Sequence, residues 1–184
     1  MKIVFDCDDT LFGAMPEIYL TARRFANGNV PHYSQWQCGI SQPWIEDIEE
    51  WKSFMIKDGV LERIQLLPGA KHLLYMLNEQ GHEVHIMTNR GFHPNAEKIT
   101  AYTLGYVPYT SLSVLPFDAC KGETVVDLFG QVDVFVDDNI KHCRSVISYG
   151  AALQVFQPHL PNSSSDPSIK RIHDITELFD ILKI

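Results

Sequence analysis

The sequence predicts an α/β protein in which a Rossmann-like parallel sheet carries helices on both faces and a small helical segment is inserted after the first strand. Three observations carry this. Short apolar runs alternate with helical patterns over most of the chain, the arrangement that gives a parallel sheet covered on both sides. Several of those runs stop at carboxylate or hydroxyl residues, as buried strands do on reaching a site. Residues 13 to about 67 contain no good strand run and carry helical spacing instead. At 184 residues one domain with a small inserted lid is expected, large enough to bury a substantial core.

The first strand is Lys2 to Phe5, cut off at once by Asp6. The insertion follows. Met15, Ile18, Tyr19, Ala22 and Phe25 space as one amphipathic helix face, and Trp44, Ile48, Trp51 and Met55 as another. Pro68-Gly69 opens a helix whose apolar positions Ala70, Leu73, Leu74 and Leu77 fit a 3.6 period, and Gly81 ends it. The second strand is Glu83 to Met87, ending at Thr88; a helix after Pro94 stops near Gly105. A third strand covers Ser111 to Leu115, followed by a helix from about Gly122 to Phe129. The fourth strand, Val132 to Val136, ends at Asp137 and leads to a helix over Ile140–Tyr149. Ala152 to Phe156 is the fifth strand. A Pro- and Ser-rich loop at 158–168 precedes a last helix over Ile175–Leu182.

Bulk properties narrow the function classes. A formal charge of −8 speaks against binding to nucleic-acid polymers or anionic membranes, which call for a basic face. A small anionic substrate stays compatible, because a metal ion and one lysine can reverse the field locally. No stretch approaches the roughly 18–20 apolar residues needed to span a bilayer, and the opening residues do not read as a signal peptide. Cys7, Cys38, Cys120 and Cys143 form no CxxC pair, so reduced thiols in a cytoplasmic protein are expected. Asn162-Ser163-Ser164 matches a glycosylation acceptor but reads as loop in that setting.

Ligands in open α/β sheets bind at the carboxyl ends of the strands. Asp6, Thr88-Asn89 and Asp137-Asp138 all fall there and should converge on one cleft. Asp6, Asp8, Asp137 and Asp138 would repel one another without a cation, and hard oxygen donors without a His/Cys set point to Mg²⁺. Such an ion bridges to a substrate phosphate, with Lys121 and the Thr88 hydroxyl neutralising and orienting the remaining oxygens. A carboxylate nucleophile splits hydrolysis into two easier steps. A second carboxyl two residues on can give a proton to the leaving oxygen and later take one from water.

Asp6-x-Asp8-x-Thr10, then Thr88, Lys121 and Asp137-Asp138, in that order across nearly the whole chain, resembles the haloacid dehalogenase (HAD) superfamily. The resemblance implies an HAD-like core over 1–12 and 68–184, with 13–67 as a helical cap of the C1 type. It implies Asp6 as nucleophile and magnesium ligand, and Asp8 as general acid/base with its backbone carbonyl on the metal. Thr88 would bind the phosphoryl group, Lys121 would stabilise nucleophile and phosphate, and Asp137 would complete the metal site. Thr10 and Asp138 would support them. Cys7, through its backbone N–H, and Asn89 are further candidates for holding the phosphate. Asp8 argues against the dehalogenase branch, which lacks that carboxylate. Asp9 stands where many members have glycine, which should alter the turn.

The expected activity is Mg²⁺-dependent phosphomonoester hydrolysis through an aspartyl-phosphate. Cap size, the Leu67-Pro68-Gly69 stretch and the compact length are similar to 5′(3′)-deoxyribonucleotidases, implying a nucleoside 5′-monophosphate substrate. Another small phosphorylated metabolite, transfer to an acceptor other than water, and a non-catalytic phosphate-binding protein on the same fold are the alternatives.

Several residues admit two readings. The Asp137-Asp138-Asn139 run could cap the following helix as well as bind metal. Lys141 competes with Lys121 for the phosphate. Arg90 and His93 could touch substrate or simply belong to a loop. Of the insertion's aromatic residues, which could stack on a base or form its core, Tyr33 and Trp36 are expected to face the cleft more than the others.

Overall fold

A computed structural model describes residues 1–36, 42, 44–160 and 163–184; Cys38 and Asn162, singled out above, lie outside them. Six parallel strands form one sheet in the order β3-β2-β1-β4-β5-β6: β1 (Lys2–Phe5), β2 (Glu83–Thr88), β3 (Ser111–Val114), β4 (Val132–Val136), β5 (Ala152–Pro158) and β6 (Lys170–Ile172). Helices α1 (Met15–Phe25), α2 (Ile48–Asp58) and α3 (Val60–Arg63) lie between β1 and α4 (Ala70–Glu79). The remaining helices are α5 (Ala96–Leu104), α6 (Lys121–Phe129), α7 (Ile140–Ser148) and α8 (Glu177–Leu182). The expected α/β class holds. Strand β6 adds to the five expected strands: Lys170-Arg171-Ile172 is too short and too polar to read as a strand, and it forms an edge strand beside Phe156–Pro158.

Successive strand residues point to opposite faces, and the core divides accordingly. Ile3, Phe5, Ile86, Val134 and Val136 pack on one face with Leu73, Leu74, Leu77 and Leu178 of α4 and α8. Val4, Met87, Phe135 and Val155 pack on the other with Val125, Cys143 and Val146 of α6 and α7. Burying each large apolar side chain is worth about 1.5–3 kcal/mol, so the central strands are held from both sides. Parallel pairing sets Phe5 opposite Val136 and Ile86, which brings Asp6, Asp137 and Thr88 to one edge.

The inserted helices bury Met15, Ala22, Trp51, Met55, Val60 and Leu61 in the same apolar cluster as Ile3 and Phe5. Asp58, at the end of α2, bonds Arg24 of α1, Arg63 of α3 and the Thr21 hydroxyl. The Arg24 hydrogen bond comes first among the contacts that hold its carboxyl below the usual range. The aromatic residues pack on each other: Trp36 stacks on Trp44 at 5.4 Å, Tyr19 meets Trp36 edge-on, and Phe25 meets Trp51 and Phe54. Trp36 is 1% exposed, so it belongs to the core of the insertion instead of facing a cleft. Trp44 precedes α2 instead of lying on it, because the Asp47 side chain accepts from Glu49 N and Glu50 N and starts the helix there.

Asp9 ties the loop after β1 to α1. It sits in the left-handed region at φ 56°, where Asp and Asn are tolerated better than most residues. Its Oδ1 accepts Ala14 N at 3.0 Å and Met15 N at 2.8 Å, occupying two free N–H groups at the start of α1. Burial, reinforced by Asp8 and Asp6 and opposed by those two N–H groups, pushes the Asp9 carboxyl up to about 7. Stability from its protonated form is complete below the unfolded value near 4 and is lost as pH rises through 7. Asp9→Asn keeps the acceptor and removes the charge. Urea unfolding in EDTA should find the variant more stable than wild type at pH 8 by about 1–3 kcal/mol relative to their difference at pH 4. An unchanged difference would show that Asp9 carries no such penalty.

Helices α6 and α7 come close together at Gly122. A methyl group there would sit 2.5 Å from the Ser145 carbonyl oxygen and 2.6 Å from its carbon, which are backbone atoms that cannot swing aside. Gly→Ala in a helix gains about 1 kcal/mol of propensity, whereas overpacking costs about 1–3 kcal/mol. Gly122→Ala should therefore lower the urea midpoint with an unchanged slope.

Candidate active site

The residues expected to act together are brought to the carboxyl edge of the two central strands and β2. Asp6 follows β1 directly, and its N–H donates to Val136 O at 2.9 Å, continuing the ladder. Asp137 follows β4 in the same way, its N–H donating to Phe156 O at 3.2 Å. Lys121 opens α6 and is 1% exposed. Its ammonium donates to Asp6 Oδ1 and, at 2.7 Å, to Asp137 Oδ2. A buried ammonium is tolerated only with such partners. Burial opposes its charge, but Asp137 and Asp6 outweigh it and hold the Lys121 pKa above the ordinary value. Lys141, the competing candidate, is exposed.

The three carboxylates respond differently. Burial drives Asp6 up to about 7, with Asp137 and Asp8 adding to the rise and Lys121 resisting it. Burial works the same way on Asp137, but Lys121 and His142 prevail and keep it below its ordinary value. Asp138 is pushed well up, by burial first and then by the charges of Asp137 and Asp6. His142 places Nδ1 3.2 Å from Asp137 Oδ2. Sequence reading passed it over because no spacing rule marks a histidine in the first turn after a strand-end aspartate.

Asp6, Asp137 and Asp138 can each bring one carboxylate oxygen within 4.8 Å of the other two. Asp137 is largely committed, since Oδ1 accepts Asn139 N at 2.8 Å and Oδ2 faces Lys121 and His142. Among the described residues no donor meets the Asp138 carboxylate, and Lys121 takes only Oδ1 of Asp6. Free hard oxygens crowded by like charge fit Mg²⁺. Asn139, not either aspartate, caps α7 through Lys141 N. That leaves the pair free for the site.

Other expected residues divide between the site and its frame. Thr88 ends β2 fully buried, and its hydroxyl has no partner among the described residues. A buried hydroxyl without a partner costs about 1–3 kcal/mol, which fits a donor kept for an absent acceptor. Thr10 accepts Asp138 N at 3.1 Å, and Gln157 donates to Asp138 O at 2.8 Å. Asn89 spends its amide nitrogen on Pro116 O and Ala119 O at 2.9 and 3.1 Å. Its side chain thus holds the loop leading to Lys121 and has no donor left for a phosphate. The Cys7 thiol is fully buried and its pKa is pushed up by that burial, so it is a packed side chain.

Asp8 lies outside the carboxylate group. Arg90 grips it with a two-pronged ion pair, Nε to Oδ2 at 2.9 Å and Nη2 to Oδ1 at 2.5 Å. Arg90 lies in the loop after β2, one of its two expected readings, but it is buried there and its guanidinium is spent on Asp8 and Thr100. His93 is buried too, with its ring 3.7 Å from Glu62. Asp6 and Asp137 thus share the buried Lys121, and Asp8 holds the buried Arg90.

No family model matches the chain, and no curated protein matches its sequence. Solved structures do. A Clostridium difficile protein described as a phosphatase superimposes with TM-score 0.72 at 16% identity, covering 98% of this chain and 97% of its own. Mycobacterium tuberculosis protein tyrosine kinase A gives 0.73 at 17%, covering 100% and 98%. A magnesium-bound Bacillus subtilis protein described as a haloacid dehalogenase-type hydrolase gives 0.63 at 16%, covering 100% and 98%. Together with the sheet order and the strand-end aspartates, these likenesses place the chain in the haloacid dehalogenase-like fold.

Proposed function

We propose that the chain is a Mg²⁺-dependent phosphomonoesterase that works through an aspartyl-phosphate on Asp6. One observation carries the reading: Lys121 clamps Asp6 Oδ1 and Asp137 across the ends of adjacent strands, which holds the Asp6 carboxylate at the sheet edge as the nucleophile. The Thr88 hydroxyl donates to a phosphoryl oxygen, and Lys121 neutralises charge on the phosphoryl group. Asp8 protonates the leaving oxygen and then accepts a proton from the attacking water. Asp6, Asp138 and Asp137, with the Asp8 carbonyl, would hold Mg²⁺, which supplies charge neutralisation at the phosphoryl oxygens. The segment 13–67 acts as a cap over this edge, and closure excludes bulk water.

For the substrate we infer a nucleoside 5′-monophosphate. A groove of about 550 Å³ runs between α2 and the loops after β2 and β3. Phe92 and Phe117 meet there edge-to-face at 5.7 Å, with Lys52 over the Phe117 ring. An aromatic wall of this kind suits one face of a flat base bearing polar edges. With Trp36 buried in the insertion, these two phenylalanines join the exposed Tyr33 as stacking candidates.

Asp6→Asn should abolish Mg²⁺-dependent phosphate release while leaving the circular dichroism spectrum and unfolding midpoint near wild type; full activity would sink the mechanism. EDTA should stop turnover and added Mg²⁺ restore it. Removing one carboxylate charge beside a cation costs a few kcal/mol at an effective dielectric near 20, so Asp138→Asn should raise the half-saturating Mg²⁺ concentration at least about tenfold. In a panel of phosphate esters, faster turnover of sugar or amino-acid phosphates than of nucleotides refutes the nucleotide assignment.

A further inference from the structure

We propose that Arg90 is a positioning residue for hydrolysis of the phosphorylated enzyme: its guanidinium fixes the Asp8 carboxylate where it takes the proton of the attacking water. The inference rests on the reading of Asp6 as nucleophile and Asp8 as proton acceptor, and adds to it the residue that holds the acceptor still.

Arg90 is 2% exposed, whereas the side chain of Asp8 is 32% exposed. The buried partner therefore grips an acceptor that keeps one edge open. The grip is a fork, with Nε and Nη2 each meeting one carboxylate oxygen, and a fork fixes the plane of the carboxylate as a point charge cannot. The fork itself has little freedom. Nη1 donates to Thr100 Oγ1 of α5 at 3.0 Å, and the guanidinium carbon lies 5.0 Å from the centroid of the Phe12 ring. The Arg90 backbone follows Thr88 by two residues, and Gly91 N anchors the next peptide to Leu115 O at 2.8 Å. Each end of the grip is thus fixed to an element that also holds the site.

In the step concerned, the water oxygen forms a bond to phosphorus as the bond from phosphorus to Asp6 breaks. The electron pair of that bond returns to the Asp6 carboxylate, inorganic phosphate departs, and the proton of the water passes to Asp8. The preceding step is different when the leaving group is p-nitrophenolate, which departs without a proton. Loss of Arg90 should then spare the first step and slow the second, a pattern that a purely structural role does not produce.

The test is rapid-mixing kinetics of wild type, Arg90→Met and Arg90→Lys with p-nitrophenyl phosphate and Mg²⁺. A positioned base contributes about 10²–10⁴-fold, so in Arg90→Met the first turnover of nitrophenolate should stay within about threefold of wild type while steady-state hydrolysis falls about a hundredfold or more. Phosphate-labelled protein should accumulate in that variant. Arg90→Lys, which keeps the charge without the fork, should fall between, and guanidinium ion should partly restore the steady state of Arg90→Ala. Equal losses in both phases, or no loss in either, with an active wild type overturn the positioning role alone. A wild type that releases no phosphate from any ester overturns the phosphatase reading and this inference with it. If Arg90→Met does not fold, Arg90→Lys decides by the same ratio of phases.

Discussion

The site depends on one buried ammonium. Lys121 sits between two aspartates that the register of β1 and β4 brings side by side. Without it Asp6 and Asp137 would be two like charges in a space shielded from water, where their repulsion is worth several times its value in solution. The rest of the local structure can be understood as what it takes to deliver that one group. Lys121 arrives at the start of α6 from a loop whose carbonyls at 116 and 119 are held by the Asn89 amide. Gly91 N fixes the same loop at Leu115 O. Strand β2 therefore serves twice: it ends in the unpartnered Thr88 hydroxyl, and its continuation fastens the approach of the lysine.

One lysine is not enough for the charge collected here. Among the described residues the Asp138 carboxylate accepts no hydrogen bond, and burial and its neighbours push its pKa well up, while its backbone is pinned on both sides by Thr10 and Gln157. A carboxylate open on a fixed main chain suits the divalent cation proposed for this edge. Asp8 is satisfied differently, by an arginine from β2's loop. Two protein cations thus take Asp6 Oδ1, Asp137 and Asp8, and one oxygen of Asp6 and the carboxylate of Asp138 stay open to the proposed metal.

Much of this was legible in the sequence because strand ends are local features. A run such as Val132–Val136 followed by two aspartates states both where the strand stops and what stands at its tip, and parallel pairing then does the gathering. What could not be read is what depends on distant partners. Arg90 and Asp8 are 82 residues apart, and nothing in an arginine two positions beyond a strand says which carboxylate it will meet. Asp9 departs from the expected glycine. Its compensation, bonding to the first N–H groups of α1, is visible only once that helix is seen to start at Met15. Trp36 departs from its expected place for a related reason. The spacing of the insertion's aromatic residues shows that they can cluster, but not that Trp36 and Trp44 would stack on each other and draw Trp36 inward.

The same long-range bonds determine how the insertion is joined to the chemistry. The chain leaves the sheet region through 12–13 and returns through 65–67, and the two crossings are bonded to each other, Gly13 N to Gln65 O and Leu67 N to Leu11 O. The covalent connection is narrow, but the inserted helices are also held by apolar packing in the cluster of Ile3 and Phe5 and by the contact of Glu62 with His93. Asp9 adds a tie beside the chemistry. Its backbone N–H bonds Phe12 O inside the loop that carries Asp6 and Asp8, while its carboxylate holds the first turn of α1. Asp9 therefore ties α1 to the residue next to Asp8. The Arg90 fork ties Asp8 itself to the loop after β2 and to α5. The Asp8 carboxylate is thus held from the sheet side by the fork, and its chain neighbour from the side of the insertion.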